Sequence, residues 1–236
     1  MEKNKIIFLK EVFMNKKENL ISAISKLLLV VGVVIGVWAS LLQEGFFNPA
    51  HFLYYTIQSN IEIGIISLIC VLFLLRKNVQ IPQVVYTLKF IFTVAITLTG
   101  LVFNFILYPA SIFSTHPLNP LSTANFFTHI FVPILSLVDF FAFDYKLKIT
   151  KKTFLLGLIT PLIYFIFVMF CTKVGIRFNG NLFVPYFFLD YKANSWFQLG
   201  DGKIGVFYWV IIQVLIVLLI SSVLLFFLKK RKNKNT

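Results

Sequence analysis

Two residues in different apolar stretches carry the chemistry needed for nucleophilic catalysis. Thr56 opens one stretch, in YYTIQSN, and His129 lies near the start of another, in ANFFTHIFVPILSLVDFFAFD. A threonine hydroxyl is a weak nucleophile until a base takes its proton, and a neutral imidazole at hydrogen-bond reach can do so. Asn60, Asn104 or backbone N–H groups near Pro133 could then hold the oxyanion that an attacked ester develops. At about 100° per residue, Thr56, Ser59 and Asn60 share one helical face and can point together into a bundle. A purely structural reading stands beside this one. Ser, Thr and Asn favour helix N-termini, where their oxygens accept from free backbone N–H groups, and a histidine in a bundle can be packed and hydrogen-bonded without reacting.

Ionisable groups inside a bilayer are costly, about 2.5–3.5 kcal/mol for a central charge on insertion scales, so each one calls for a partner or a task. Pro133, four residues after His129, lacks an N–H and frees the carbonyl of His129 itself. Asp139 lies ten residues beyond His129, roughly 15 Å along a helix, which is too far to orient the imidazole. It is expected to be an interfacial or paired carboxylate near the Lys146–Lys152 cluster. Glu62 lies one turn deeper than the Thr56 face, and the sequence names no partner for it.

The elements that must position these residues are membrane spans. The chain has 236 residues, 58% of them hydrophobic, 13% charged, with 29 phenylalanines. A span needs about 20 mostly apolar residues to cross a hydrocarbon core of ~30 Å. Six stretches qualify: Leu27–Gln43, Gln58–Leu75, Tyr86–Tyr108, Asn125–Phe143, Phe154–Thr172 and Ile204–Leu228. The expected fold is all-α, a six-helix polytopic membrane bundle, with residues 1–236 forming a single membrane domain.

The net charge of +13 is a topology signal rather than a nucleic-acid footprint. Eighteen of the 22 Lys and Arg residues fall in the termini, the second–third and the fourth–fifth connections, among them Lys26 and Lys89, and four fall on the other side. The positive-inside rule then predicts a cell-membrane protein with both termini cytoplasmic, helped by attraction to anionic inner-leaflet lipids. IIFL is too short for a signal-peptide core and has no cleavage site after it. The first 20 residues read as an amphipathic or disordered lead-in.

Gly32 and Gly36 form a GxxxG, read as close helix packing within the bundle rather than as a dimer face, and Thr93, Thr97 and Gly100 form a second small-residue seam. Pro161 should kink the fifth span. Cys70 and Cys171 lie at opposite membrane depths, so a disulfide is not expected. Residues 173–203 form the longest outer loop, and aromatics such as Phe178, Tyr186, Phe188, Tyr191 and Trp196 suit a lid over the outer mouth. The chain has no internal repeat, Walker sequence, GxSxG, HExxH or Cys/His ligand cluster, and no cofactor or metal is expected.

YYTIQSN entering the second span and the H-x-x-x-P-I-L-S-L-V-D run of the fourth resemble the androgen-induced (FAR-17a-like) family of six-span membrane proteins and its bacterial relatives, with a weaker echo in VPYFFLDY. The resemblance implies an atypical hydrolase of lipid esters, with Thr56 as nucleophile and His129 as base. YYTIQSN departs from the animal pattern, in which an apolar residue, an acid and a leucine follow the threonine, so the family's fatty-acid ester substrates are not carried over. Membrane lipids and a lipid ester are the expected partners, with the oligomeric state open. A transporter would place its site at midplane on broken helices, usually with repeats. A non-catalytic scaffold would use Thr56 only as a cap and His129 only as packing.

Overall fold

A computed structural model of the chain describes residues 2–43, 46–76, 80–115, 117–150 and 152–235. It is nearly all-α. Six helices are long and apolar enough to cross a membrane. α1 runs Glu2–Leu41, α2 Tyr55–Leu75, α3 Gln83–Ser111, α4 Thr123–Phe143 and α5 Thr153–Val174, and α6 Val206–Asn235. Two short hairpins, Leu42–Gln43 with Phe46–Phe47 and Leu199–Gly200 with Lys203–Ile204, sit at the end of the bundle away from the termini. That end is called distal here, and the end where both termini emerge basal.

α3 occupies the middle, packed on α2, α4, α5 and α6, while α1 closes the other side against α2 and α4. An unbroken buried run, Val94–Leu98, lies along α3. The peripheral helices instead expose large apolar side chains, including Leu28, Val34 and Trp38 on α1, Ile163 and Phe170 on α5, and Leu215 and Leu219 on α6. Hydrocarbon tails are a suitable solvent for such faces, whereas the backbone is satisfied internally by the helices.

The structure adds to or corrects the sequence reading at three places. The lead-in is helical and continuous with the first span, in one helix Glu2–Leu41. Ahead of Pro161 the fifth span is irregular: residues Thr153–Leu158 form a 3₁₀ helix and the α-helix begins only at Ile159. The proline therefore falls in a first turn, where its missing N–H has little to satisfy. Lys26 and Lys89 are fully buried rather than loop charges. Asp139 answers both: Lys26 Nζ lies 3.0 Å from its Oδ1 and Lys89 Nζ 3.1 Å from its Oδ2, with Lys26 also 3.3 Å from Asp144. Asp139 is thus paired as expected, but with lysines of α1 and α3 in place of the Lys146–Lys152 cluster. Ser22 and Ser67 accept further hydrogen bonds from Lys26 and Lys89.

Candidate active site

α4 changes its hydrogen-bonding register where His129 lies. Phe127–Phe131 is a π-helical turn, closed by the Val132 N–H donating to the Phe127 carbonyl. π-turns inside α-helices are uncommon and concentrate at functional sites. Here the turn and Pro133 act together. Val132 is diverted to Phe127 and Pro133 has no N–H, so the carbonyls of Thr128 and His129 lose helical partners. Two asparagines from neighbouring helices supply them. Asn60 Nδ2 on α2 donates to the Thr128 carbonyl at 3.2 Å, and Asn104 Nδ2 on α3 donates to the His129 carbonyl at 3.1 Å. Asn104 itself sits in a second π-turn, Phe103–Leu107.

Small residues let the neighbours come close enough. A Cβ on Gly36 of α1 would lie 2.9 Å from both Phe127 Cβ and Thr128 Cγ2, and one on Gly100 of α3 would lie 3.0 Å from Pro133 Cβ and 3.1 Å from the His129 carbonyl oxygen. The GxxxG face and the α3 seam therefore both close on the His129 turn, within one chain. Phe103 stacks on the imidazole, with ring centroids 3.8 Å apart and planes 15° apart.

Thr56 and His129, separated by 73 residues, meet. Thr56 Oγ1 is 3.3 Å from His129 Nε2, and Thr128 Oγ1 is 2.9 Å from His129 Nδ1. The proton positions follow from what Thr128 does next. Its hydroxyl donates to the Ala124 carbonyl at 2.7 Å, so at Nδ1 it can only accept. The proton of a neutral His129 is thereby assigned to Nδ1, and Nε2 presents its lone pair to the Thr56 hydroxyl. A base held in one tautomer by a second group, with a hydroxyl at its other nitrogen, is the geometric signature of an activated nucleophile.

The capping reading of the α2 start gives way to this arrangement. The N-cap is Tyr54, without a side-chain cap bond. Ser59 bonds to Thr99 Oγ1 at 2.8 Å, and Asn60 Nδ2 also takes the Thr56 carbonyl at 2.8 Å. Asn104 Nδ2 likewise reaches the Gly100 carbonyl at 2.8 Å. Both amide nitrogens are thus committed to backbone carbonyls, which makes Asn60 and Asn104 positioning residues rather than oxyanion donors. Glu62 keeps Oε2 shielded from water with no hydrogen-bond partner among the described residues.

Thr56 opens onto a cavity of about 90 Å³ walled mainly by apolar side chains of α3, α5, α6 and the segment before α6. Leu98, Val102, Phe165, Val214 and Val217 make it greasy, and Tyr164, Tyr186 and Gln213 add polar points. Tyr186, Phe188 and Leu189 of the 173–203 segment form part of its wall. Tyr186 packs edge-on to Tyr54 and flat on Phe188, and Phe178, Phe188 and Leu189 are buried with the core.

Thr128 and Phe103 lie at this site and sequence reasoning gave neither a role, while Tyr186 was read only as one aromatic of a lid. Thr128 is adjacent to His129, and its spacing of four from Ala124 is the usual one for a helical threonine bonding back to a carbonyl, a signal that could have marked it. Stacking by Phe103 has no signature among so many phenylalanines. Among the described residues, no three His, Cys, Asp or Glu side chains gather as a metal-binding group. No family model, curated protein or solved structure matches this chain.

Proposed function

We propose that this chain is a threonine-dependent hydrolase of lipid esters, working from within the membrane. The observation that carries the proposal is the Thr56–His129 contact at 3.3 Å, with Nδ1 held by Thr128. Thr56 Oγ1 attacks the ester carbonyl while its proton passes to His129 Nε2. The tetrahedral intermediate collapses, the C–O bond to the alcohol breaks, and the alcohol leaves with the proton from Nε2. Water then attacks the acyl-threonine, His129 takes and returns a proton, and the acid departs with Thr56 restored. General-base catalysis of this kind is worth roughly 10²–10⁴-fold.

The apolar cavity beside Thr56 suits an acyl chain, and the lipid-facing helices give such a substrate a route in. The charge distribution supports a cell-membrane protein with cytoplasmic termini, which would put the site at the outer face. The resemblance to the androgen-induced family supports the same active pair.

The test is hydrolysis of a panel of long-chain esters by the purified full chain in detergent micelles and lipid nanodiscs. Thr56→Ala and His129→Gln are expected to bring turnover to background while thermal unfolding stays near wild type. Mass spectrometry after incubation with a lipid-like fluorophosphonate should place the adduct on Thr56. Equal turnover by wild type and both variants would remove the hydrolase reading and leave a scaffold or transporter.

A further inference from the structure

We propose that the hydroxyl of Tyr186, carried by the segment over the cavity, is the oxyanion donor of the Thr56 site. This rests on the hydrolase reading above. An acyl transfer needs a donor aimed at the carbonyl oxygen as it becomes an alkoxide, and the obvious amides are engaged: Asn60 and Asn104 each give their Nδ2 to two carbonyls.

Tyr186 lines the same cavity as Thr56 and Tyr164, and its phenol interacts with both of their side chains. Counting protons shows which of these three hydroxyls is free to donate. The Thr56 proton is directed to His129 Nε2 at 3.3 Å, and the Tyr164 proton goes to the Leu53 carbonyl at 3.0 Å. Among the described residues, no carbonyl or imidazole takes the Tyr186 proton, which at rest can turn only to the hydroxyl oxygens of Thr56 and Tyr164. Its oxygen also meets the backbone of Tyr55 and Thr56 in the first turn of α2, where N–H groups have no helical acceptor. A phenol oxygen that accepts from such N–H groups becomes a stronger donor through its own O–H. Burial pushes the Tyr186 phenol up, so it retains its proton through the range in which esters are assayed.

The ring is also fixed. It stands edge-on to Tyr54 with centroids 6.0 Å apart, lies parallel to Phe188 at 5.3 Å, and is tilted against Tyr164 at 6.3 Å. Gln213 Nε2, on the same cavity, is a buried amide without a hydrogen-bond partner among the described residues. It lies seven residues into α6, roughly 10 Å below the helix start, while Thr56 is in the first turn of α2, so the glutamine faces the chain of a ligand rather than the reacting carbonyl. As Thr56 Oγ1 bonds to the carbonyl carbon, the C=O electron pair moves onto oxygen and the Tyr186 O–H bond points at it. No proton is transferred from Tyr186, and the hydrogen bond relaxes when the carbonyl re-forms.

Tyr186→Phe keeps the ring and deletes the donor. The expected result in the ester assay is a fall in kcat of about 100-fold with KM within twofold. The loss should be the same for p-nitrophenyl and alkyl esters, because carbonyl polarisation acts on both. Difluorotyrosine at position 186, which preserves packing and is a more acidic donor, should retain wild-type kcat or exceed it at neutral pH, and this comparison holds even where the phenylalanine variant is less stable. A kcat within twofold of wild type for Tyr186→Phe would overturn the proposal. So would a loss confined to alkyl esters, which would place the phenol on the leaving group. If Thr56→Ala hydrolyses like wild type, the hydrolase reading itself fails, an outcome separate from either.

Discussion

The bundle buries polar groups at both ends, and it treats them differently. At the basal end three contacts of 3.0–3.3 Å join two lysines to two aspartates, with side chains at most 1% exposed. Every ammonium there has a carboxylate and a serine. At the distal end no ion pair is present among the described residues, and the hydrogen-bonded series Ala124–Thr128–His129–Thr56 ends on a hydroxyl beside a cavity. Charge matched to charge in a dry interior holds helices in place, because parting the pair is what is expensive. A neutral series with an open end instead leaves a hydroxyl facing a cavity, which the proposed function uses as its nucleophile. A polar residue in a membrane span is therefore read by whether its partners close the circuit.

The sharpest way to break this contrast is at Asp139, which answers both buried lysines. Asp139→Asn should destabilise the protein by about 3–5 kcal/mol, seen as a lower midpoint of thermal unfolding in detergent and a reduced folded yield. Thr56→Ala should leave both near wild type. Equal stability of the Asp139 variant would erase the distinction between the ends.

The next effect is expected at Gly100. A methyl there presses on Pro133 and the His129 carbonyl, and displacing a catalytic group by about 1 Å can lower activity by roughly 100-fold. Gly100→Ala should therefore lose ester turnover by more than it loses stability, and a variant with wild-type turnover would show that the turn tolerates the shift. Thr128→Val removes the acceptor at Nδ1 while keeping the shape. It should lower kcat by about tenfold, the equivalent of ~1.4 kcal/mol. An unchanged kcat would mean that Phe103 stacking and the contact with the Asn125 backbone orient the ring without Thr128.

The smallest effect belongs to Asp144, which has Lys26 as its single ion-pair partner among the described residues. Burial pushes its carboxyl up, against the pull of Lys26. An acid raised in the folded state holds its proton more tightly there, so stability declines as pH rises from the usual carboxylate range toward the raised value. Asp144→Asn should be worth about 1 kcal/mol or less and should flatten that pH dependence, measured by thermal unfolding across the acidic range. A loss as large as that of Asp139→Asn would show that both aspartates are charged.

Hydropathy made the six spans legible, and helical spacing put Thr56, Ser59 and Asn60 on one face. The inward burial of Lys26 and Lys89 was not legible, because each lies near a basal boundary and its counter-ion is 113 or 50 residues away in the chain. The duty of Asn60 and Asn104 was hidden for another reason. It depends on carbonyls released by a change of hydrogen-bonding register in α4, and side-chain polarity does not record backbone register. Pro133 hinted at one of these carbonyls, but the second follows only from the π-turn.

That turn also sets how the active pair could be gained or lost. A π-turn holds one residue more than the α-helical turn it replaces. Removing a single residue between Phe127 and Phe131 would restore an α-helix and swing His129 by about 100° relative to the rest of α4. Such a chain would keep all six spans and its basal ion pairs, yet aim its imidazole away from Thr56. On the proposed function, inert and reactive versions of this bundle can therefore be neighbours separated by one codon, indistinguishable in hydropathy and different only in the helical phase of α4.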